Sequence, residues 1–490
     1  MPICRREFGA VLAAGAAFGL RGSTPRPKLL VLVVLEQIRP DYLDAVAPQL
    51  APGGLRRLLE KGAFYPDCRH LASTFNTSSL CTLATGAWPA QHGIVADSWY
   101  DRAAQQPVKA SDEALLATTL LAQVEADPHM RSWVVGMEEA EAAVFAGPTT
   151  SPIYWMDDQG LFTTRGEVPD WITVFNMQKS PEDARDVKWL AVGAKPDAAP
   201  LRILSYSADH PRDFLNLYKS SPWGMAAQFD FVTELMTRER IGQGNTTDVL
   251  CVILGSMARL GYETGARSPL MQQMILQLDR HMDSFLAQLA KVPGENAFNL
   301  AVVGAHGAPP EPPDYSRARM AVSGERLAQA VDRLLVAGGN GRVEKYLYPF
   351  LYLDTTGFRD PEPMRLAAGR AALRDSAVAG FFTAGGSSST FSGWERRFRN
   401  SFHPVRSGDV MLSYQPEYVE DFGVLRGVSY GSLYDYDVRV PLWFYGPQFK
   451  TGVFEKSVES VDLAPTLARV LGVAVPSSSA GRVLGEALLE

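Results

Sequence analysis

The sequence predicts an α/β fold, a buried sheet covered by helices on both faces. Residues 29–35, 249–254 and 300–303 are continuous apolar, β-branched runs without period-two alternation, as suits central strands shielded on both sides. From Ser268-Pro269 onward, Met271, Met274, Ile275, Leu278, Met282, Phe285, Leu286 and Leu289 recur at spacings of three and four, which lays one helical stripe against such a sheet. Near the C-terminus, Asp462 is placed to cap a helix through Leu463, Leu467, Val470 and Leu471, with Gly472 as its stop.

In chain order, the first segment reads as a targeting signal, residues 1–27. Arg5-Arg6-Glu7-Phe8 is a basic pair followed by Phe, and 9–20 is a small-residue apolar run, the layout of a twin-arginine export signal. The run falls short of the roughly 20 residues of a comfortable membrane span. The expectation is a periplasmic or extracellular protein without a transmembrane span beyond the signal, an uncleaved tether being the alternative. No small-x-small cleavage site precedes 21–27.

Residues 28–490 form the folded part. With 490 residues, 46% hydrophobic and 21% charged, the chain can bury one very large core or two domains. The net charge of −7, from 47 basic and 54 acidic residues, supplies no basic field for nucleic acid or anionic lipid. Stretches 147–205 and 311–421, irregular and rich in turn residues, read as insertions or caps beside the sheet. No repeat of 20 to 50 residues is visible. Cys251 sits in an apolar run and reads as a buried thiol; Cys68 and Cys81 either pair or stay free. No Cys-x-x-Cys or Cys/His zinc spacing is present.

Longer strings carry a resemblance. LLVLVVLEQIRPDYL from Leu29 and STFNTSSLCTLATGAWPAQHGIVADSWYD from Ser73 are followed by YWMDDQGLF from Tyr154, SPWG from Ser221 and HPVRSGDV from His403. YDYDVRVPLWFYG from Tyr434 and VDLAPTLARVLG from Val461 complete the series. The chain resembles the alkaline phosphatase superfamily, in its branch of Thr-nucleophile alkaline phosphatases and type I phosphodiesterase/nucleotide pyrophosphatases. The resemblance implies an αβα sandwich with a central, mostly parallel sheet, inserted cap segments and a site at the carboxyl ends of the strands. It also implies two zinc ions, a Thr or Ser nucleophile, and Asn, Lys and Arg groups around the phosphate.

Set against that pattern, most of the implied site is altered. Glu36 stands for an Asp ligand, and its extra methylene displaces the oxygen. Asn76 stands for the nucleophile, which an amide cannot be. Thr77 offers a hydroxyl one residue on, although Thr77 and Ser78 read first as caps of the following helix. Ala258 and Tyr262 occupy the positions of an Asp-x-x-x-His ligand pair, and Ala305 precedes His306 where the family has Asp-His. Tyr430 replaces a final His, leaving His306 as the one unchanged ligand. Around the phosphate, Asp97 replaces Asn, and Glu138 and Ala140 fall where Lys and Arg are implied, so a cationic pocket becomes neutral or acidic.

Other histidines, His70, His92, His129, His210, His281 and His403, form no close ligand pair, and the acids Asp157-Asp158 and Glu138-Glu139 read as solvated. The expectation is therefore an exported pseudophosphatase, without catalytic residues or cofactor, that binds a small ligand or a protein partner. The alternative is an active phosphatase or phosphodiesterase with Thr77 as nucleophile and zinc on Glu36 and His306. A structural subunit docked to an active relative is a third class.

Overall fold

The computed structural model describes residues 26–265, 267–309, 321–389, 393–416, 418–421 and 430–489. Cys4 and nearly all of the signal at 1–27 lie outside them. The main sheet runs, in space, Gly452–Val453, Ala63–Arg69, Arg439–Tyr445, Phe298–Gly304, Leu29–Leu35, Thr247–Leu254, Met130–Val135, Ile153–Met156, Phe162–Thr164. From Phe298–Gly304 to Ile153–Met156 every neighbouring pair is parallel, and Val31 sits between Leu250 and Leu300. The sheet is thus mostly parallel, with antiparallel additions at its margins.

The uninterrupted apolar run of Leu29–Leu35 has a direct cause. Leu29, Val31, Val33 and Leu35 enter one core, and Leu30, Leu32 and Val34 the opposite one. Each buried Leu or Val contributes about 1.5–3 kcal/mol, so neither face tolerates a polar residue. The first core is closed by helices Pro222–Arg238 and Pro269–Leu289, the latter presenting the predicted stripe from Met271 to Leu289, with the Ser268 hydroxyl accepting from Met271 N at 3.1 Å. The second is closed by helices Asn76–Thr85 and Leu463–Leu471.

A smaller sheet joins Val343–Leu347, Phe350–Leu353, Val410–Tyr414, Val378–Thr383 and Ser388–Ser389. Phe350 and Tyr352 face the second main core, whereas Leu351 and Leu353 pack with helices Gly324–Ala337 and Glu362–Ala372. The stretch 311–421 therefore holds a sheet-and-helix unit of its own. Within 147–205, Lys188–Trp189 and Arg202–Ile203 pair with each other apart from the main sheet, whereas Ile153–Met156 and Phe162–Thr164 extend it. Tyr154, Met156 and Phe162 are drawn there by burial in the first core.

Helix Leu463–Leu471 stops at Gly472 in the left-handed region, φ +65°, as the sequence predicts. Its start differs: the Asp462 carboxylate accepts from Glu459 N at 3.0 Å and Arg482 N at 2.8 Å, tying two loops together in place of capping the helix. Cys68, Cys81 and Cys251 are all buried and free, and burial pushes their thiols up. Among the described residues no helix is long and apolar enough to cross a membrane. Where a cap is present it can be tested. The Thr119 hydroxyl accepts from Ala122 N at 3.2 Å to open helix Leu120–Glu125 and donates to Ala146 O at 2.9 Å. Thr119→Ala is expected to lower unfolding free energy by about 1 kcal/mol in urea denaturation.

Candidate functional site

Glu36 follows Leu29–Leu35, Ser256 follows the turn after Thr247–Leu254, and Ala305-His306 follow Phe298–Gly304, so neighbouring parallel strands deliver these residues to one edge. Glu36, Asn76, Thr77, Asp97, Ala258, Tyr262 and Tyr430 line a single cleft of about 840 Å³ there, together with Glu138 and Ala140. A side recess of about 200 Å³ shares Asp97, Tyr262 and Tyr430 with the cleft and adds Phe75 and Tyr348. Ala258 and Tyr262 stand one turn apart on helix Ser256–Thr264 and so share a face.

Ala305 and His306 lie behind this wall and do not line it. Ala305 N donates to Leu35 O at 2.9 Å. The fully buried His306 ring stacks on Tyr430 with centroids 4.3 Å apart, and its Nδ1 lies 2.8 Å from Gly307 O. Burial lowers its pKa to about 4, which keeps the imidazole neutral.

At the position of the expected nucleophile, Asn76 bridges two acids. Its Nδ2 donates to Glu36 Oε1 at 2.8 Å and, more weakly, to Glu141 Oε1 at 3.4 Å. With the amide turned this way, Asn76 Oδ1 is buried without a donor among the described residues, a loss of about 1–3 kcal/mol unless something supplies one. Burial raises Glu36 to about 7, opposed by the Asn76 hydrogen bond and the charge of Arg259. Burial, then the neighbouring charge of Glu36, holds Glu141 well above the usual carboxylate range.

Thr77 and Ser78 do not cap the helix, contrary to the sequence reading. The helix begins one residue earlier, at Asn76, and Asp97 reaches across to do the work: its Oδ1 accepts from Thr77 N at 3.0 Å and from Thr77 Oγ1 at 2.8 Å. Burial raises Asp97, and both Thr77 hydrogen bonds oppose the rise. A second carboxyl sits likewise at the start of helix Glu139–Ala146, where Glu141 Oε2 accepts from Met137 N at 3.1 Å and Glu138 N at 3.0 Å.

Glu141 and Arg259 escape the sequence reading. Glu138 and Glu139 are solvated as expected, with side chains 45% and 50% exposed; Glu138 pairs with Arg259, and the buried acid lies two residues beyond Glu139. The signal for Glu141 was its spacing of three from Glu138 just before the apolar run 142–146, a capping-box pattern. Arg259 was legible as the cation beside Ala258. Charge in the cleft is consequently mixed: Lys109 and Arg259 face Glu36, Asp97, Glu138, Glu141, Asp213 and Glu263.

Two zinc ions do not fit this donor set. Ala258 and Ala305 have no donor atoms, Asn76 spends its amide nitrogen on Glu36, and His306 is covered by Tyr430. Among the described residues, no group of three or more His, Cys, Asp or Glu converges where it could hold a metal ion.

A family model described as type I phosphodiesterase / nucleotide pyrophosphatase matches residues 30–349. The chain belongs to that family. This phosphodiesterase-family chain is 25% identical to the alkaline phosphatase PhoV of Synechococcus elongatus, over 94% of its own length and 93% of PhoV. It is 24% identical to the alkaline phosphatase PafA of Elizabethkingia meningoseptica, over 95% of each. The crystal structure of wild-type PafA superposes with a TM-score of 0.84 at 21% identity, covering 95% of this chain and 100% of PafA. Membership in the alkaline phosphatase superfamily and its αβα fold are thereby established.

Proposed function

We propose that this chain is an exported, non-catalytic member of its family, a pseudophosphatase that uses the strand-end cleft to bind a small ligand or a protein partner. The observation that carries the reading is Asn76. An amide locked to Glu36 at 2.8 Å stands where the family resemblance implies a hydroxyl nucleophile, and among the described residues no group of three or more zinc donors converges around it. Export rests on Arg5-Arg6-Glu7-Phe8 and the apolar run that follows.

Metal analysis of the purified chain after zinc supplementation, with a hydrolysis screen over phosphate mono- and diesters, tests it. Zinc well below one ion per chain and no turnover above the uncatalysed rate are expected. Stoichiometric zinc with turnover abolished by Thr77→Ala would overturn the reading.

One observation favours the second reading, an active hydrolase. The 2.8 Å hydrogen bond from Thr77 Oγ1 to Asp97 Oδ1 is the arrangement of a hydroxyl beside a general base. The metal ligands of that reading, Glu36 and His306, are respectively engaged by Asn76 and packed under Tyr430, which makes it the weaker of the two.

A further inference from the structure

We infer that the strand-end cleft takes an organic cation bearing N–H groups, a primary ammonium or guanidinium on an apolar body, with Asn76 Oδ1 and the Glu36 and Glu141 carboxyls receiving the N–H groups. The inference rests on the non-catalytic reading and names its ligand class. Asn76 is 8% exposed, lines the cleft, and its Oδ1 has no donor among the described residues. A ligand N–H supplies what that oxygen lacks.

Charge in the cleft points the same way. Arg259 is held by Glu138, and Glu263 is held by Arg202 at 2.9 Å. Buried Lys219 donates to Met156 O at 3.1 Å. Glu36, Asp97, Glu141 and Asp213 then face the cleft without an ion-pair partner among the described residues, opposed by Lys109 and by the more distant charges of Arg259 on Glu36 and Lys219 on Glu141. A cation beside Glu36 and Glu141 offsets the penalty that burial places on their charged forms. The adjoining recess, with Phe75, Tyr262, Tyr348 and Tyr430 around Asp97, offers ring faces to an apolar or cationic body. Phosphate finds the opposite surroundings.

Calorimetric titration of the full chain with 2-phenylethylamine, its N,N,N-trimethyl derivative, 2-phenylethanol and inorganic phosphate tests the inference. The amine is expected to bind. The trimethyl derivative, which has no N–H, and the uncharged alcohol should each bind at least tenfold more weakly, and phosphate should not compete. Glu36→Gln should weaken the amine at least tenfold, and Tyr262→Ala, placed on the partly exposed wall, should weaken it with the melting transition retained. Equal binding of the amine and its trimethyl derivative, or amine binding unmoved by both substitutions, would overturn the inference. A chain that neither binds the amine nor hydrolyses phosphoesters overturns this inference alone. Turnover in the zinc-supplemented screen overturns the non-catalytic reading and this inference with it.

Discussion

Asp409→Ala is expected to destabilise the chain by about 3 kcal/mol, the low end for removing one partner of a buried ionic cluster. Asp409 is 3% exposed and directly precedes strand Val410–Tyr414 of the smaller sheet. Its carboxylate receives Arg102 Nη2, Arg365 Nε at 3.0 Å and Leu353 N at 2.8 Å. Alanine leaves two guanidinium groups near one another and a buried strand N–H without an acceptor. Arg102 is one-third exposed and keeps Glu344 at 3.2 Å, and Arg365 keeps Glu362 at 3.6 Å, so water and these acids absorb part of the loss. Asp409→Asn preserves an acceptor for Leu353 N and should recover part of the difference. Urea denaturation of the three proteins measures both steps; a loss under about 1 kcal/mol for alanine would show that the arginines need no buried anion.

The second large effect depends on pH. Burial raises Glu36 from 4.5 to about 7, so the native chain retains a proton that the unfolded chain releases above about pH 4.5. The stability tied to this group is fully present below pH 4.5 and declines as the pH rises to 7. Glu141, Asp97 and Asp437, all raised first by burial, act in the same direction. Buried His70 and His306, lowered to about 4, and His92, lowered to about 3, act oppositely: their contribution is present above 6.5 and is lost as the pH falls through those values. The profile of the native protein therefore mixes opposing slopes. Subtracting it from that of Glu36→Gln, which keeps an acceptor for Asn76 Nδ2, cancels the distant groups and leaves Glu36 with the part of the Glu141 shift that its charge causes. The Tm of Glu36→Gln should gain on the native chain from pH 5 to pH 7 and level off above that. A difference that stays constant across that range would show that Glu36 titrates as an ordinary carboxylate.

How much was legible follows from the range of the contacts. The central strands were readable because two-sided burial leaves an uninterrupted apolar string, as in Leu29–Leu35. Once those strands are placed, counting from their ends brings Glu36, Ala258 and Tyr262 to the same edge. Partner choice was not readable. Asn76 finds Glu36 across 40 positions, and Thr77 finds Asp97 across 20, and nothing local distinguishes Asp97 from any other loop acid. The short strands Ile153–Met156 and Phe162–Thr164, set among Pro, Asp and aromatic residues, looked irregular because only their pairing with the sheet edge gives them order.

The two carboxyls seated at helix starts carry a consequence for competition. Backbone N–H groups at such positions are natural docking points for phosphate. Here Asp97 already takes that of Thr77, and Glu141 those of Met137 and Glu138. Both occupants are tethered, so they neither dilute nor diffuse away, and their effective molarity far exceeds any millimolar anion in solution. A phosphoester arriving at this edge competes with a tethered carboxylate for each of these three N–H groups.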